Sequence, residues 1–598
     1  MPRSFVGRCP KRPSIGNGDG CQANRGPPAN GDQTATPVLA DDDDMAALNK
    51  RFKDYWASFS FVGLVVATVF LSASVTPSLL PRHFLTQGLL SGFAVAIGYG
   101  VGIALTYFYH FLQFREPQGK TRSISQWIAA GAAAIVFIAS IWQMTAWQNS
   151  IRQLMEMPLV ETAYPYRTAG IAIAFAALLI GVTRLLIRCT SFVSSKVERF
   201  VPPRVARSIG FTLVVLVVLL LGNDLVVARL LHSADRAFLN LDKIVDDGVE
   251  PPALPGVTGS SESLVDWDLI GRQGKLFLTE GPTQEEISSF WGGEAMRPIR
   301  VFVGMRARPT ARDRAKLALS ELQRVGGFER SKLIVATPTG TGWLDPSAVD
   351  TIEFVHRGDT AIVSTQYSYL PSWMTILVDP HKSPESAVAL FQEVYEYWKT
   401  LPKDSRPELY VHGLSLGSLG SEMSADLFTI FEDPIDGAVW SGPPFPSRRW
   451  RQVVENRNPG SPAWLPEFRD SRMVRFTSQT NHLDDHNQWG PIRCVYVQYA
   501  SDPMVWFSED LAWRRPDWLR EERGPDVSPG LRWTPIVTFL QIGFDLPMAT
   551  SVPLGYGHNY SPDSYIYAWV SVTRPTDWSD KLSEKLKARF EQRAVPKP

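Results

Sequence analysis

The sequence contains few cysteines and no excess of charge of either sign. Its 598 residues include four cysteines, Cys9, Cys21, Cys189 and Cys494, and only the last lies in the C-terminal half. A disulfide within that half is therefore excluded, and cysteine usage does not indicate a compartment. Lys plus Arg number 60 and Asp plus Glu number 60, so the net charge gives no sign of nucleic-acid binding.

Motifs that would hold a metal ion or a cofactor are missing as well. The glycine-containing stretch Thr337–Trp343 lacks the Lys-Ser/Thr pair that completes a phosphate-binding P-loop. His482, Asp484, Asp485 and His486 form a group that resembles a metal site, but their polar surroundings are more typical of a solvated loop. We therefore expect no metal and no cofactor.

The first 44 residues lack the apolar clusters of a folded domain. They are rich in Gly, Pro, Asn and Asp and end in four consecutive aspartates, so this tail is predicted to be disordered. Met45 follows directly and is a second candidate for the translation start. The first apolar stretch after it is too long for a secretory signal and has no convincing cleavage site.

Long apolar runs then distinguish residues 45–235 from the rest of the chain. Five runs approach the ~20 residues that a bilayer-spanning helix needs, at about 57–80, 87–112, 126–147, 168–188 and 209–231. The second run contains Gly98, Gly100 and Gly102, and the third contains five alanines between residues 129 and 134. Small residues let membrane helices approach closely, so we predict a five-helix transmembrane bundle.

Lysine and arginine are concentrated in the loops on one side of this predicted bundle. They precede the first run and occupy the second–third and fourth–fifth loops, at Lys50, Arg51, Lys53, Arg115, Lys120, Arg122, Arg188, Lys196, Arg199, Arg204 and Arg207. The opposite loops carry only Arg82, Arg152 and Arg167. Since positively charged loops stay in the cytoplasm, we predict a multi-pass plasma-membrane protein with a cytoplasmic N-terminus. Five crossings then place the C-terminal half outside.

One acidic residue, Asp224, lies within the fifth apolar run. An intramembrane carboxylate marks a candidate functional site by default. Asp224 stands near the outer end of the run beside Asn223, which favours snorkelling or a helix-packing hydrogen bond.

The C-terminal half alternates strand-like and helix-like patterns after a Pro-containing linker at 236–262. Short β-branched runs occur at Ile299–Val303, Leu333–Ala336, Ala361–Thr365, Leu409–His412, Gly437–Trp440 and Val495–Tyr499. Helical patterns include Ala311–Val325, Ser386–Thr400 and an amphipathic segment at about 576–593. This alternation predicts that residues 263–598 form an α/β domain, a mostly parallel sheet with helices on both faces.

The clearest chemical motif joins one of these strands to a helix. Leu409–His412 runs into Gly413-Leu414-Ser415-Leu416-Gly417, and a helical stretch is predicted at Ser421–Phe431. Gly-x-Ser-x-Gly in this context is typical of a nucleophile elbow, in which a strained turn exposes the serine hydroxyl. We therefore interpret Ser415 as a catalytic nucleophile.

A serine nucleophile needs a base and a carboxylate that orients the base. Asp502 follows the Val495–Tyr499 run in a turn, and His558 lies in a glycine-rich loop near the C-terminus. The chain order of this type of site is Ser, acid, His, and only His558 lies C-terminal to Asp502. His412 is expected to pack beside the elbow instead of serving as the base.

An oxyanion hole requires two backbone N–H donors near the nucleophile. The first is expected from Leu416, directly after Ser415. The second is expected from the Thr337–Trp343 loop, with Gly340 and Thr341 as the candidates.

These segments together resemble an actinobacterial family of α/β-hydrolases that carry an N-terminal multi-helix membrane domain. The matching segments are Thr76–Arg82, Pro298–Gly304, Thr337–Trp343, Gln366–Trp373, the elbow at Ser415, Ala500–Pro503 and Gly555–His558. The resemblance runs from about residue 55 to near the C-terminus and leaves out the polar tail. It implies a transmembrane bundle followed by an α/β-hydrolase fold, and a triad of Ser415, Asp502 and His558.

Two hypotheses for function follow. The first is a membrane-anchored serine hydrolase that cleaves or transfers an ester-linked acyl group through an acyl-enzyme. Its expected substrate is a lipid or cell-envelope molecule, because a tethered catalytic domain meets such molecules first. The second is a membrane transport or scaffolding protein that uses the hydrolase fold only for binding. All three triad positions are filled in the right order, which favours the first.

Overall fold

The computed structural model describes residues 58–594 apart from residues 116, 221–227, 427–429 and 485–487. The chain divides into two units, Met1–Phe59 and Ser60–Pro598. The predicted disordered tail and Met45 belong to the first unit and lie outside the described residues. All the helices and strands given below belong to the second unit.

Six helices form the N-terminal part of this unit. They are α1 (Phe61–Ser74), α2 (Phe84–Phe111), α3 (Gly119–Leu154), α4 (Pro165–Val197), α5 (Pro203–Leu220) and α6 (Ala228–Asp242). Within the described residues, α2, α3 and α4 are long and apolar enough to cross a membrane, whereas α1 is apolar but has only 14 residues. Three of the five predicted spans therefore have full-length apolar helices.

The first and fifth predicted runs differ most from the helices. The helix α1 ends at Ser74 instead of near residue 80, because Pro77 and Pro81 cannot continue a hydrogen-bonded helix. The helix α5 covers the first part of the fifth run, and Asp224 lies outside the described residues. The helix α6 extends to Asp242, into the segment predicted as a linker.

Glycines allow α1 and α2 to pack backbone against backbone. A Cβ atom at Gly102 would lie 2.6 Å from the Cα of Gly63 and 2.8 Å from the carbonyl oxygen of Val62. Gly100, on the same helix, faces open space. Of the alanines predicted to pack on α3, only Ala133 is buried. Close packing by small residues occurs between α1 and α2 and also, through Gly88 and Gly92, between α2 and α4.

The C-terminal part contains a seven-stranded sheet whose strands are all parallel. Its strands are β1 (Ile299–Val303), β2 (Lys332–Thr337), β3 (Thr360–Thr365), β4 (Glu408–Leu414), β5 (Gly437–Ser441), β6 (Val474–Thr477) and β7 (Arg493–Val497), in the spatial order β1-β3-β2-β4-β5-β7-β6. Six of them overlap the predicted runs, although β7 begins and ends two residues before the run predicted at Val495–Tyr499, and β6 was not predicted. Carboxyl ends of parallel strands lie at one edge, which is where ligands bind in open α/β sheets.

Helices connect and cover these strands. They are α7 (Arg272–Thr279), α8 (Gln284–Trp291), α9 (Ala311–Arg324), α10 (Pro346–Val355), α11 (Ser372–Val378), α12 (Lys382–Thr400), α13 (Leu416–Ser424), α14 (Arg448–Glu455), α15 (Pro503–Trp506), α16 (Asp517–Arg520), α17 (Val537–Asp545), α18 (Pro562–Thr573) and α19 (Asp580–Ala594). The helix after the elbow was predicted at Ser421–Phe431, which is wrong. It begins at Leu416 because the turn at Ser415 leads directly into it.

The core of the α/β domain includes residues from the helical N-terminal part. Leu79 and Leu80, which follow α1, are fully buried in the same apolar cluster as the central strands. Ile151, near the end of α3, is also fully buried there. By a rise of 1.5 Å per residue the 36-residue α3 is roughly 54 Å long, enough to cross a bilayer and still reach this core.

The α1–α2 contact generates a prediction about stability. The Gly102→Leu substitution should destabilise the fold by about 1–3 kcal/mol, because its Cβ overlaps the backbone of α1 and the helices must separate. Gly100→Leu is the matched control, since nothing lies within 4 Å of that position. Thermal unfolding of the two detergent-purified variants measures the difference. An equal melting temperature for both would contradict the packing described here.

Candidate active site

The chain makes a strained turn between β4 and α13. Ser415 has φ 59° and ψ −127°, a combination that non-glycine residues rarely adopt. The Ser415 N–H donates a hydrogen bond to the carbonyl oxygen of Ser441 on the neighbouring strand β5, with a distance of 3.0 Å. The turn thus fixes Ser415 at the carboxyl edge of the sheet.

Two glycines make this turn sterically possible. A Cβ atom at Gly413 would lie 2.2 Å from the carbonyl oxygen of Gly417. One at Gly417 would lie 2.2 Å from the carbonyl oxygen of Thr337, at the end of β2. Both contacts are with backbone, which cannot move aside as a flexible side chain can, so the Gly-x-Ser-x-Gly spacing follows from the close approach of β2, β4 and α13.

Asp502 and His558 form a buried hydrogen-bonded pair. The Nδ1 of His558 lies 2.6 Å from Oδ2 of Asp502, whose side chain is fully buried. The other oxygen of Asp502 accepts a hydrogen bond from the Met504 N–H at 2.8 Å, because Asp502 caps the short helix α15. With Nδ1 engaged in this way, the imidazole presents Nε2 away from the carboxylate.

A third residue, Tyr560, also hydrogen-bonds to Asp502, and the sequence reasoning missed it. Its hydroxyl donates to Oδ2 of Asp502 at 2.8 Å, so that oxygen receives two hydrogen bonds. Burial raises the pKa of Tyr560 well above its usual value, which keeps the hydroxyl protonated as a donor. Its place two residues after His558 is the only sequence signal that could have indicated it.

Ser415 and His558 both line one cavity of about 250 Å³. The Ser415 Oγ and the His558 Nε2 are buried, and neither has a hydrogen-bond partner among the described residues. Nucleophile–base contacts are often long before substrate binds. The structure therefore brings the predicted nucleophile and base to one cavity. Neither Ser415 Oγ nor His558 Nε2 is hydrogen-bonded to another described residue.

The candidate oxyanion donors differ in their surroundings. Leu416 is the first residue of α13, where N–H groups have no partner within the helix. Thr341 lines the cavity within a tight turn that is closed by a 2.9 Å hydrogen bond from the Thr339 N–H to the Trp343 carbonyl oxygen. The Gly340 N–H donates to Ser372 Oγ at 3.1 Å and is therefore engaged elsewhere.

Two other histidines considered in the sequence, His412 and His482, do not line this cavity. His412 is buried, and its Nδ1 lies 2.7 Å from the Val439 carbonyl oxygen. Burial lowers the pKa of His412 to about 4, so it is neutral near pH 7. His482 contacts Thr480, while Asp485 and His486 lie outside the described residues. Among the described residues, no three potential metal ligands are grouped together.

Asp345 is an acidic residue that lines the cavity, and the sequence reasoning missed it too. Its side chain is buried and accepts a hydrogen bond from the Ser347 N–H at 2.9 Å, as the N-cap of α10. The Tyr565 hydroxyl also hydrogen-bonds to it. Burial raises the pKa of Asp345 from 3.8 to about 6. In the sequence, Asp345-Pro346-Ser347 is an ordinary helix start, which conceals its position in the cavity.

Two segments of the chain match models of known protein families. Residues 299–586, which contain all seven strands and the three triad positions, match the model of an alpha/beta-hydrolase family. Residues 75–282, which contain α2 to α7, match the model for the N-terminus of an alpha/beta-hydrolase family. No curated protein matches the chain, and no solved structure does.

The raised pKa of Asp345 generates a prediction about pH. Because its folded pKa of about 6 exceeds the unfolded value of 3.8, stability falls as pH rises between these values. Above pH 6 the ionised carboxylate costs up to about 3 kcal/mol. Asp345→Asn keeps an oxygen to cap α10, so it should raise the melting temperature at pH 8 and leave it unchanged near pH 4. An equal effect at both pH values would contradict a buried, protonatable carboxyl group.

Proposed function

The chain belongs to an alpha/beta-hydrolase family, and we propose that it is a membrane-anchored serine hydrolase that cleaves or transfers an ester-linked acyl group. One observation carries the proposal. Ser415 lies in a strained turn and lines the same cavity as His558. The Nδ1 of His558 is hydrogen-bonded to the buried Asp502. A nucleophile, a base and an orienting carboxylate are the groups that acyl transfer needs.

The reaction begins with the attack of Ser415 Oγ on the ester carbonyl carbon. The Nε2 of His558 takes the hydroxyl proton, and Asp502 stabilises the imidazolium that forms. In this proposal, the N–H groups of Leu416 and Thr341 bind the negative oxygen of the tetrahedral intermediate. The imidazolium then gives its proton to the departing alcohol, which leaves an acyl group on Ser415.

A second half-reaction releases the acyl group. Water or a hydroxyl of another molecule gives its proton to His558 and attacks the acyl carbon. The bond between that carbon and Ser415 Oγ then breaks, and His558 returns the proton to Ser415 Oγ. Water yields a carboxylic acid, and a hydroxyl yields a new ester. The two outcomes use the same residues, so the proposal includes hydrolysis and acyl transfer.

The size and the apolar lining of the cavity suit the carbon atoms of the acyl group that lie next to the ester. Its walls include the apolar side chains of Trp343, Trp373, Leu414, Met504 and Leu546. Its volume of about 250 Å³ lies just below the ~300–1,000 Å³ of pockets that hold drug-sized ligands. A short acyl group fits inside, while the rest of a lipid or cell-envelope ester extends beyond the cavity.

Exposed aromatic side chains support the proposal that a bilayer surrounds α2 to α4. Trp142 and Tyr166 are 83% and 86% exposed. Tyr166 lies at the start of α4, and Trp142 lies in the half of α3 that approaches the α/β domain. Phe111 and Phe200 are 71% and 86% exposed and lie toward the opposite ends. Aromatic rings at two levels are typical of the two membrane–water interfaces.

The contacts of the α/β domain also support an external position for it. Gln541 Nε2 donates to the Thr76 carbonyl oxygen at 3.0 Å, and Ser528 Oγ lies 3.0 Å from Ser150 Oγ. The domain therefore lies at the α1–α2 and α3–α4 loops, opposite the loops rich in lysine and arginine. With the cationic loops in the cytoplasm, the domain lies outside, whatever the number of helices that cross the membrane.

The test of the catalytic proposal is labelling with a short-chain fluorophosphonate, which reacts with activated serines. We expect the native chain to be labelled in membranes and Ser415→Ala to lose the label completely. Ser418→Ala is the matched control, because Ser418 is a buried serine with an uncommitted hydroxyl one turn further along α13. A folded native chain without label would favour the binding or scaffolding alternative.

The proposed topology has a separate test in a background with all four cysteines replaced by serine. Asp404→Cys places a thiol on an exposed loop of the α/β domain, and Lys120→Cys places one at the exposed start of α3. A membrane-impermeant thiol reagent should modify the first in intact cells and the second only after permeabilisation. The reverse pattern would place the catalytic domain in the cytoplasm.

A further inference from the structure

The segment Thr76–Arg82, named here the junction segment, leaves α1 and enters the α/β domain. It carries an apolar pair, Leu79 and Leu80, that is fully buried in the core of that domain. It also carries Ser78 and Arg82, which are 1% and 8% exposed. A membrane anchor alone would need none of these buried contacts.

Arg82 forms an ion pair with Asp545, the last residue of α17. The distance from Arg82 Nε to Asp545 Oδ1 is 2.9 Å, and both side chains are fully buried. Ser78 Oγ donates to the second carboxylate oxygen at 2.5 Å, and Arg82 Nη2 donates to the Gln541 carbonyl oxygen at 2.8 Å. A buried ion pair needs such additional hydrogen bonds to offset the loss of water.

Asp545 adjoins the wall of the catalytic cavity. The residues that follow it, Leu546, Pro547, Ala549 and Thr550, all line the cavity that contains Ser415. The carbonyl oxygen of Ala549 accepts a hydrogen bond from the backbone N–H of His558 at 2.8 Å. The ion pair therefore fixes one end of a short segment, and the other end holds the residue proposed as the base.

The junction segment also contacts the His558 loop directly. A Cβ atom at Gly557 would lie 3.2 Å from Leu80 Cδ2 and 2.6 Å from the Ala549 carbonyl oxygen. Gly557 has φ 57°, a conformation that glycine adopts without strain. Its N–H donates to Ser501 Oγ at 2.9 Å. The loop is thus enclosed between the junction segment and the turn that carries Asp502.

We propose that Arg82 is a positioning residue of the active site, which holds the His558 loop through Asp545 and so makes the membrane region part of the catalytic apparatus. This inference rests on the proposed serine hydrolase function. Arg82 acts through Asp545 and the segment Leu546–Thr550, and it does not touch the reacting atoms.

The test compares labelling rates with stability in the full-length chain. Arg82→Gln should lower the rate constant of short-chain fluorophosphonate labelling at Ser415 at least tenfold, measured on the folded population well below its melting temperature. Arg82→Lys keeps a cation but not the fork of donors, so it should retain an intermediate rate. This second variant also serves if Arg82→Gln does not fold.

The double variant Arg82→Gln/Asp545→Asn separates positioning from folding. Removing one partner leaves an uncompensated buried charge, whereas removing both does not. The melting temperature of the double variant should therefore recover toward that of the native chain, while its labelling rate stays low. A residue needed only for folding would give the opposite result, a labelling rate that recovers together with the melting temperature.

Arg406→Gln is the matched control. Arg406 pairs with Asp433 at 10% side-chain exposure and lies before the amino end of β4, at the sheet edge opposite Ser415. It should lose stability and keep the native labelling rate. A native rate in Arg82→Gln would overturn the inference and leave the proposed function standing, whereas an unlabelled native chain would overturn both.

Discussion

Two residues without side chains let three backbone segments meet at Ser415. A Cβ atom at Gly413 or Gly417 would lie 2.2 Å from a carbonyl oxygen, and between these glycines Ser415 adopts a positive φ of 59°. Such a conformation costs of order 1–3 kcal/mol and persists only where its surroundings enforce it. The hydrogen bond to Ser441 and the contact with Thr337 provide those surroundings. The order of β2, β4 and β5 in the sheet is therefore a condition for the site.

The second constraint comes from outside the sheet. His558 lies on a loop more than 50 residues beyond Asp502, and its position depends on the Asp502 carboxylate, on Ala549 and on the neighbouring junction segment. That segment belongs to the helical N-terminal region, so the loop is held from two sides. This arrangement gives a physical reason for the α/β domain to remain attached to the helical region, beyond the membrane anchoring that we propose for the helices.

The local sequence pattern was sufficient to predict most strands of the sheet but not all of them. Strands such as Ala361–Thr365 are buried at every residue, because both faces of a parallel sheet are covered. The strand β6 escaped prediction because it has four residues and contains Arg475, which is buried against Trp489. The length of α1 was overestimated because an apolar run continued past Pro77 to residues that are buried in protein instead of lipid.

The catalytic candidates were predictable from their order along the chain, whereas the residues that support them were not. The motif at Ser415 and the unique position of His558 after Asp502 are visible in the sequence. The ion pair of Arg82 with Asp545 joins residues 463 positions apart, and no local pattern indicates it. Asp345 was concealed for a different reason, since capping α10 explains its presence without any reference to the cavity.

Our central proposal is that Ser415, His558 and Asp502 act together on an ester. The most direct measurement is a structure of the full-length chain after reaction with a short-chain alkyl phosphonate. We expect the phosphorus atom to be covalently bonded to Ser415 Oγ. The phosphonyl oxygen should lie within hydrogen-bonding distance of the Leu416 and Thr341 N–H groups, and His558 should remain hydrogen-bonded to Asp502. An adduct on another residue, or one on Ser415 with its oxygen remote from both N–H groups, would contradict the claim.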